Sequence, residues 1–338
     1  MACAAGNRKP LDMHPAFSVI FLTTLIGAGQ GLFLALFTVQ CYVLIRLLPA
    51  LPDADMHVAG SVIALALLGA GLVASFFHLG RPERAWRAAA QWRTSWLSRE
   101  VIVLPAFMAS VALYGLLHAL DWSPALVTLP SGLAIEPSFV VGMAGTAIAF
   151  ALFVCTGMIY AAVRFLAEWH TPLTPINYTL LGGASGFTLA ASLAALAAPP
   201  RVGFLAGWAI VLTVLAAVGR FASLWRNARL QPRSTIQTAI GVKHPEVVQK
   251  SQGFMGGAFN TREFFHGAAP GVLRLIKPAF IVLAFVAPVL LLAAGRGEGS
   301  PALLALAFAL QYVGLLAERW FFFAQARHPQ NLYYQAAS

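Results

Sequence analysis

The chain has 338 residues, of which 59% are hydrophobic and only 10% charged, with 22 Lys+Arg against 12 Asp+Glu and a formal charge of +10. Soluble domains carry roughly 25% charged residues, which excludes a water-soluble globule, and the basic surplus reads as an orientation signal in a membrane rather than a nucleic-acid footprint. The three cysteines, Cys3, Cys41 and Cys155, make no C-x-x-C pair, so no iron–sulfur cluster, zinc site or other metal is expected in this chain.

No charge interrupts Val19 to Ile45, Val58 to Phe77, Val101 to Leu120, Phe139 to Val163, Tyr178 to Ala198, Val202 to Val218, Ala279 to Ala294 or Ala302 to Ala317. A helix needs about 17 to 25 apolar residues to cross the hydrocarbon layer. The last three stretches are short but extend through uncharged or amphipathic ends, the eighth through Trp320 to Phe323. Backbone in lipid must satisfy its own hydrogen bonds, and unbroken apolar runs do not alternate as barrel strands would. The predicted fold class is therefore all-α: a polytopic membrane protein with eight transmembrane helices. Residues 1–338 form a single integral-membrane domain, with a long basic loop at 224–277 between helices six and seven. Arg8 and Lys9 precede an apolar run too long for a signal peptide, so the first helix is expected to be retained.

Eight crossings place both termini on one side, together with the loops after helices two, four and six. Nearly every Lys and Arg lies there, against only Arg46, Arg201 and Arg296 opposite. The positive-inside rule makes the basic side, and both termini, cytoplasmic. The sixth loop holds Val247, Val248, Phe254, Met255, Phe259, Phe264 and Phe265, too apolar for a solvated linker. Loops that long are usually functional or disordered. Asn260 with Glu263 three residues on resembles a capping box and marks a candidate short helix.

The densest site candidate is Phe76-Phe-His-Leu-Gly-Arg-Pro-Glu-Arg-Ala-Trp-Arg87, continuing to Gln91-Trp-Arg-Thr-Ser-Trp-Leu-Ser-Arg-Glu100. Gly80 lets the chain turn and Pro82 suits the first turn of a new helix, one that lies along the membrane surface with Arg84 and Arg87 on one face. His78 ends an uncharged span beside two phenylalanines, where its imidazole can hydrogen-bond a quinol hydroxyl and accept its proton. Glu100, at the start of helix three, can carry that proton onward. The bland alternatives are a histidine capping the last carbonyls of helix two and a glutamate facing a helix dipole. Haem is not expected, because none of the eight histidines lies in the interior of a span, although His57 and His118 lie near the same surface, at interface depth, and can pair. Gly27-Ala-Gly-Gln-Gly31, Gly69-Ala-Gly71 and Gly182-Gly-Ala-Ser-Gly186 read as close helix packing, and Gln30, Gln40 and Gln311 as interhelical anchors. Uncharged spans argue against an ion-coupled transporter.

These strings, His78-Leu-Gly-Arg-Pro with Arg84-Ala-Trp, Thr94-Ser-Trp-Leu-Ser-Arg-Glu100, Asn260-Thr-Arg-Glu-Phe-Phe-His266 and the ending Glu318-Arg-Trp-Phe-Phe-Phe-Ala-Gln-Ala-Arg-His-Pro-Gln-Asn-Leu-Tyr-Tyr334, resemble the membrane-anchor subunit of dimethyl sulfoxide reductase and related molybdoenzymes. The resemblance covers the whole chain. It implies a haem-free anchor in the bacterial inner membrane that oxidises membrane quinol, usually menaquinol. Electrons would pass to a four-cluster iron–sulfur subunit and on to a molybdopterin catalytic subunit, which reduces dimethyl sulfoxide or a related small acceptor in anaerobic respiration. The family's quinol-associated histidine matches His78, and Phe77, Arg81 and Trp86 are expected beside the quinol. Arg84, Arg87, Arg262 and Phe264 are expected at the docking face. A small-solute transporter and a purely structural anchor remain as alternatives.

Overall fold

In a computed structural model the protein is described over residues 17–77, 79, 81–128, 134–231, 235–244, 246–247 and 270–326. Among the described residues, eight helices are long and apolar enough to cross a membrane. They begin with α1 (Phe17–Leu44), α2 (Ala54–Phe76), α3 (Trp96–Ala119), α4 (Pro137–Ala161), α5 (Leu173–Ala197) and α6 (Val202–Ala228). After a short α7 (Ile236–Ile240), the seventh crossing is made by α8 (Pro270–Ile281), a π-helical turn (Val282–Val286) and α9 (Ala287–Glu298); α10 (Pro301–Ala324) is the eighth. Each charge-free stretch thus falls on one crossing, as the hydrophobic run lengths require. Of the long loop, α7 and the residues flanking it are described, whereas Asn260, Arg262 and Phe264 lie outside the described residues.

The helices outrun the uncharged stretches. Helix α6 continues past Val218 through Arg220 and Arg226, α10 past Ala317 through Glu318 and Arg319, and α3 begins early enough that Glu100 sits one turn inside it. The premise that the spans carry no charge is corrected accordingly: it holds for the middle of each helix and fails towards the ends, and on the basic side Glu100, Arg220, Glu318 and Arg319 are buried while Arg226 is half-buried.

Helices α1 and α5 form the centre, and they touch backbone to backbone. A Cβ added at Gly31 or Gly186 would fall inside contact distance of the other helix's main chain, and Gly27 lies against Gly182. Small residues allow this approach in lipid, where van der Waals packing drives association. Gly71 packs on Ile26, whereas Gly69 faces open space and has no packing role. Side-chain amides tie the helices further: Gln30 donates to the Ala149 carbonyl (2.9 Å), Gln40 to Ser138 (2.8 Å) and Gln311 to Thr213 (3.0 Å). The π turn has a local cause. Pro288 has no N–H to offer the Ala284 carbonyl four residues back, and Gln311 Nε2 donates to that oxygen instead at 3.4 Å.

On the sparse side, Arg201 is 1% exposed. Its Nε donates to Asp53 Oδ2 at 2.9 Å and its Nη2 to the Pro49 carbonyl at 2.8 Å. The turn between α5 and α6 is thereby locked onto the loop before α2. Asp53→Ala would leave the guanidinium buried and unpaired, at a cost of about 3–5 kcal/mol. Thermal unfolding in detergent should fall clearly for that variant and recover when Arg201→Met is added; equal melting of Asp53→Ala and the parent would remove the clamp role.

Candidate functional site

The basic end of the bundle carries three features that bear on chemistry. The first is an apolar groove of about 330 Å³ between the start of α1 (Ser18, Phe21, Leu25) and the end of α2 (Ala70, Val73, Ala74, Phe77). It lies in the range of small-molecule sites, roughly 300–1,000 Å³. Phe77, 81% exposed, forms its lip. His78 follows directly in sequence but lies outside the described residues. Of the other expected quinol contacts, neither Arg81 nor Trp86 lines the groove among the described residues. Both are exposed on the segment that leads away from it.

That segment is the second feature. Residues Pro82–Gln91 form a 3₁₀ helix with Pro82 in its first turn. The expected surface helix is present, in the tighter form whose side chains at i and i+3 eclipse, which puts Arg84 directly over Arg87 along one row. Both are exposed. Arginine caps tryptophan repeatedly on this side: Arg87 over Trp86 (5.4 Å), Arg93 over Trp92 (5.4 Å), Arg99 over Trp96 (4.2 Å) and Arg229 over Trp225 (3.7 Å). Arg99 also donates to the Trp92 and Arg93 carbonyls at 2.9 and 2.8 Å, fixing the end of the segment against α3. The result is a cationic, aromatic face at headgroup depth, suited to an anionic partner surface or lipid.

The third feature is a set of buried polar groups under this face. Glu100 is 6% exposed and its Oε1 accepts a hydrogen bond from Thr156 of α4 at 2.5 Å. It is therefore an interior group of the bundle, not merely a charge at a helix start. Sequence reasoning missed what lies beside it. Arg220 of α6 meets Glu318 of α10 at 2.6 Å, and Arg319 lies 3.6 Å from the same carboxylate with its guanidinium 3.6 Å over the Tyr178 ring of α5. Tyr178 in turn stacks on Tyr160 of α4, ring centroids 5.6 Å apart. Trp169, in the α4–α5 connection, donates its indole N–H to the Phe322 carbonyl at 3.0 Å and closes this end. A signal was available: in a chain so poor in charge, an Arg or Glu within a few turns of a span end is a functional candidate by default.

At the opposite end His57 and His118 do pair. Their rings stack at 4.4 Å and 11°. His57 Nδ1 lies 3.1 Å from Tyr114 Oη, Tyr114 donates to Gln40 (3.0 Å), and His57 Nε2 lies 3.7 Å from Asp53. These groups extend the Arg201 clamp into α1, α3 and α4.

Two comparisons fit this geometry. A sulfite dehydrogenase subunit of Allochromatium vinosum is 58% identical over 326 residues, which cover 96% of this chain and 100% of that protein. Residues 13–334 match the family described as DMSO reductase anchor subunit (DmsC). An anchor subunit implies catalytic partners, and eight apolar helices make this chain the integral-membrane component of such an assembly. With nearly its whole length matched and its spans, charge asymmetry and surface helix all present, the chain belongs to the DMSO reductase anchor subunit family of molybdoenzyme complexes.

Proposed function

We propose that this chain exchanges electrons between the membrane quinone pool and a molybdoenzyme, and that it works in the direction of quinone reduction, with sulfite or a similar small oxyanion as the electron source. The site reading rests on one observation, the lipid-open groove of about 330 Å³ at the basic end with Phe77 at its lip. A flat apolar ring can enter it from the bilayer, and the residue that follows Phe77 is the imidazole best suited to hold a quinone oxygen and move its proton. The direction follows from the relative named as a sulfite dehydrogenase subunit, which matches over nearly the whole chain. Oxidation of sulfite with water yields sulfate, two electrons and two protons; quinone reduction consumes two electrons and two protons.

The electrons need a carrier outside this chain. An iron–sulfur subunit docked on the basic face, against Arg84, Arg87 and the flanking tryptophans, with Arg262 and Phe264 of the long loop as further contacts, would supply it. The catalytic subunit beyond it would hold the molybdenum cofactor. A second reading, favoured by the family description, runs the same site backwards. Menaquinol is oxidised and dimethyl sulfoxide or a related acceptor is reduced in anaerobic respiration. With the basic side cytoplasmic in a bacterial inner membrane, the partners of either reaction face the cytoplasm.

The test is a membrane preparation of the purified complex supplied in turn with sulfite plus a quinone, and with a quinol plus dimethyl sulfoxide. Sulfite-dependent quinone reduction is expected. His78→Leu should lower it at least tenfold, within the usual range of 10²–10⁴ for a lost acid–base group, while sulfite oxidation by a soluble dye continues. Full quinone coupling in His78→Leu would remove the histidine from the site, and turnover only with quinol plus dimethyl sulfoxide would reverse the direction.

A further inference from the structure

Beneath the Arg–Trp face, the ion-pair cluster encloses a cavity of about 10 Å³, bordered by Glu168, Asn177, Arg220, Ser223, Glu318 and Arg319. That is about the space one water molecule needs. The lining polar groups are short of partners. Among the described residues Asn177 Oδ1, Arg220 Nη2 and both Glu318 oxygens have no aligned hydrogen bond, although Glu318 is 1% exposed and Asn177 also reaches Ser223 through its Nδ2 at 2.8 Å. A buried, water-sized site with Phe322 on one wall and orphaned donors and acceptors around the rest is a site for an internal water. On one flank Glu168 is half-buried and reaches the basic-side surface. On the other, Arg319 lies on Tyr178, Tyr178 stacks on Tyr160, and Tyr160 is one helical turn from Thr156, which holds Glu100.

We propose that the Arg220–Glu318–Arg319 cluster, completed by one water, is the proton inlet of the quinone reaction: it draws protons from the basic-side surface at Glu168 and passes them by way of the Tyr178 and Tyr160 hydroxyls to the Glu100–Thr156 pair. The proposal rests on the quinone reading above. Each quinone reduced needs two protons at its oxygens; in the inlet each proton moves onto a carboxylate or water and off again, the water is reprotonated from bulk solvent, and no electron travels this way. Electrons arrive separately from the iron–sulfur partner. The groups that face Glu318 suit transfer rather than storage. Arg220 from α6 and Arg319 from its own helix lie 2.6 and 3.6 Å from the carboxylate, Asn177 and Tyr178 from α5 supply polar neighbours, and Glu168 in the α4–α5 connection is the outer acid. A cluster kept only for stability would be outperformed by well-packed apolar side chains of similar volume.

The experiment uses the complete complex in its membrane and compares the wild type with Glu318→Gln, Glu318→Asp, Glu168→Gln and Tyr160→Phe. Sulfite-driven reduction of a quinone and of a soluble dye is followed across pH. Glu318→Gln should slow the quinone-coupled rate about tenfold or more and leave the dye-coupled rate unchanged. Its deficit should deepen as pH rises and protons become scarce, and Glu318→Asp should restore part of the rate. Glu168→Gln should show a smaller loss that disappears at low pH. If Glu318→Gln does not accumulate, Glu168→Gln and Tyr160→Phe, which keep the buried ion pair, carry the test. An unchanged quinone-coupled rate and pH profile in the variants overturns the inlet, as does a parallel loss of dye-coupled activity, which would mark a structural role. A wild-type complex that reduces the dye but no quinone would instead sink the functional reading on which the inlet depends.

Discussion

Valine at Gly186 will leave almost no folded protein in the membrane. The α1–α5 contact has no room for a side chain: a Cβ at Gly186 would meet the Gly31 carbonyl carbon and the Leu32 nitrogen, and one at Gly31 would meet the Gly182 carbonyl. These are main-chain atoms, which cannot swing aside as a flexible side chain can, so relief requires the two central helices to separate. Separation would also pull Gly27 from Gly182 and loosen the buried layer of Leu32, Phe33 and Leu36 that the two helices share with their neighbours. The cost therefore exceeds the roughly 1–3 kcal/mol of ordinary overpacking, because packing rather than hydrophobic transfer holds helices together in lipid. The measurement is the amount of monodisperse protein after detergent extraction. Gly69→Val and Gly203→Val, where a Cβ meets open space, are the controls and should behave as the parent does. Normal yield and melting of Gly186→Val would show that α1 and α5 do not meet as described.

The difference between Gly69 and Gly186 also marks the limit of what is legible in sequence. Both sit in small-residue clusters on apolar helices, and both read as packing glycines; which one faces another backbone depends on the rotation of its helix, which composition does not encode. The spans themselves were legible because the lipid imposes length and polarity on each one separately. The His57–His118 pair was legible because both sit at the ends of adjacent spans on the same side. The Arg220–Glu318 pair was not, since its members lie on helices separated in the chain by the long loop and each borders an apolar run that can end before or after it. Glu100 was placed at the very start of α3 because the charge-free run begins at Val101. Ser95, whose side chain accepts the Ser98 N–H at 3.3 Å, is the true cap and shifts the carboxylate inside. One turn of helix thus separates a charge that decorates a dipole from one that takes part in the buried polar row.

Tryptophan at Ala74 should abolish quinone coupling while leaving the rest of the assembly intact. Ala74 lines the groove of about 330 Å³ together with Phe21 of α1, Val73 of α2 and Phe77 just after it, and its small side chain leaves room that a larger one would take. An indole at this position fills the groove with the same kind of flat ring that a quinone would bring, packed on the same apolar wall. The substitution adds apolar surface beside a groove whose lining side chains are outside the buried core, so folding and partner docking should be unaffected. Dye-coupled turnover and the yield of complete complex should equal the wild type, whereas quinone-coupled turnover should fall at least tenfold, a loss of about 1.4 kcal/mol or more in transition-state stabilisation. The variant separates occupancy from chemistry: a blocked groove also loses the binding of quinone-site inhibitors, while the loss of a proton-transferring group slows turnover with inhibitor affinity retained. Val62→Trp supplies the control, as Val62 is exposed on the same helix, about two turns before Ala70, and does not line the groove. It should retain full coupling. If Ala74→Trp reduces quinone at the wild-type rate, the groove is only a gap between two helices in lipid, and the quinone must meet the chain at another surface.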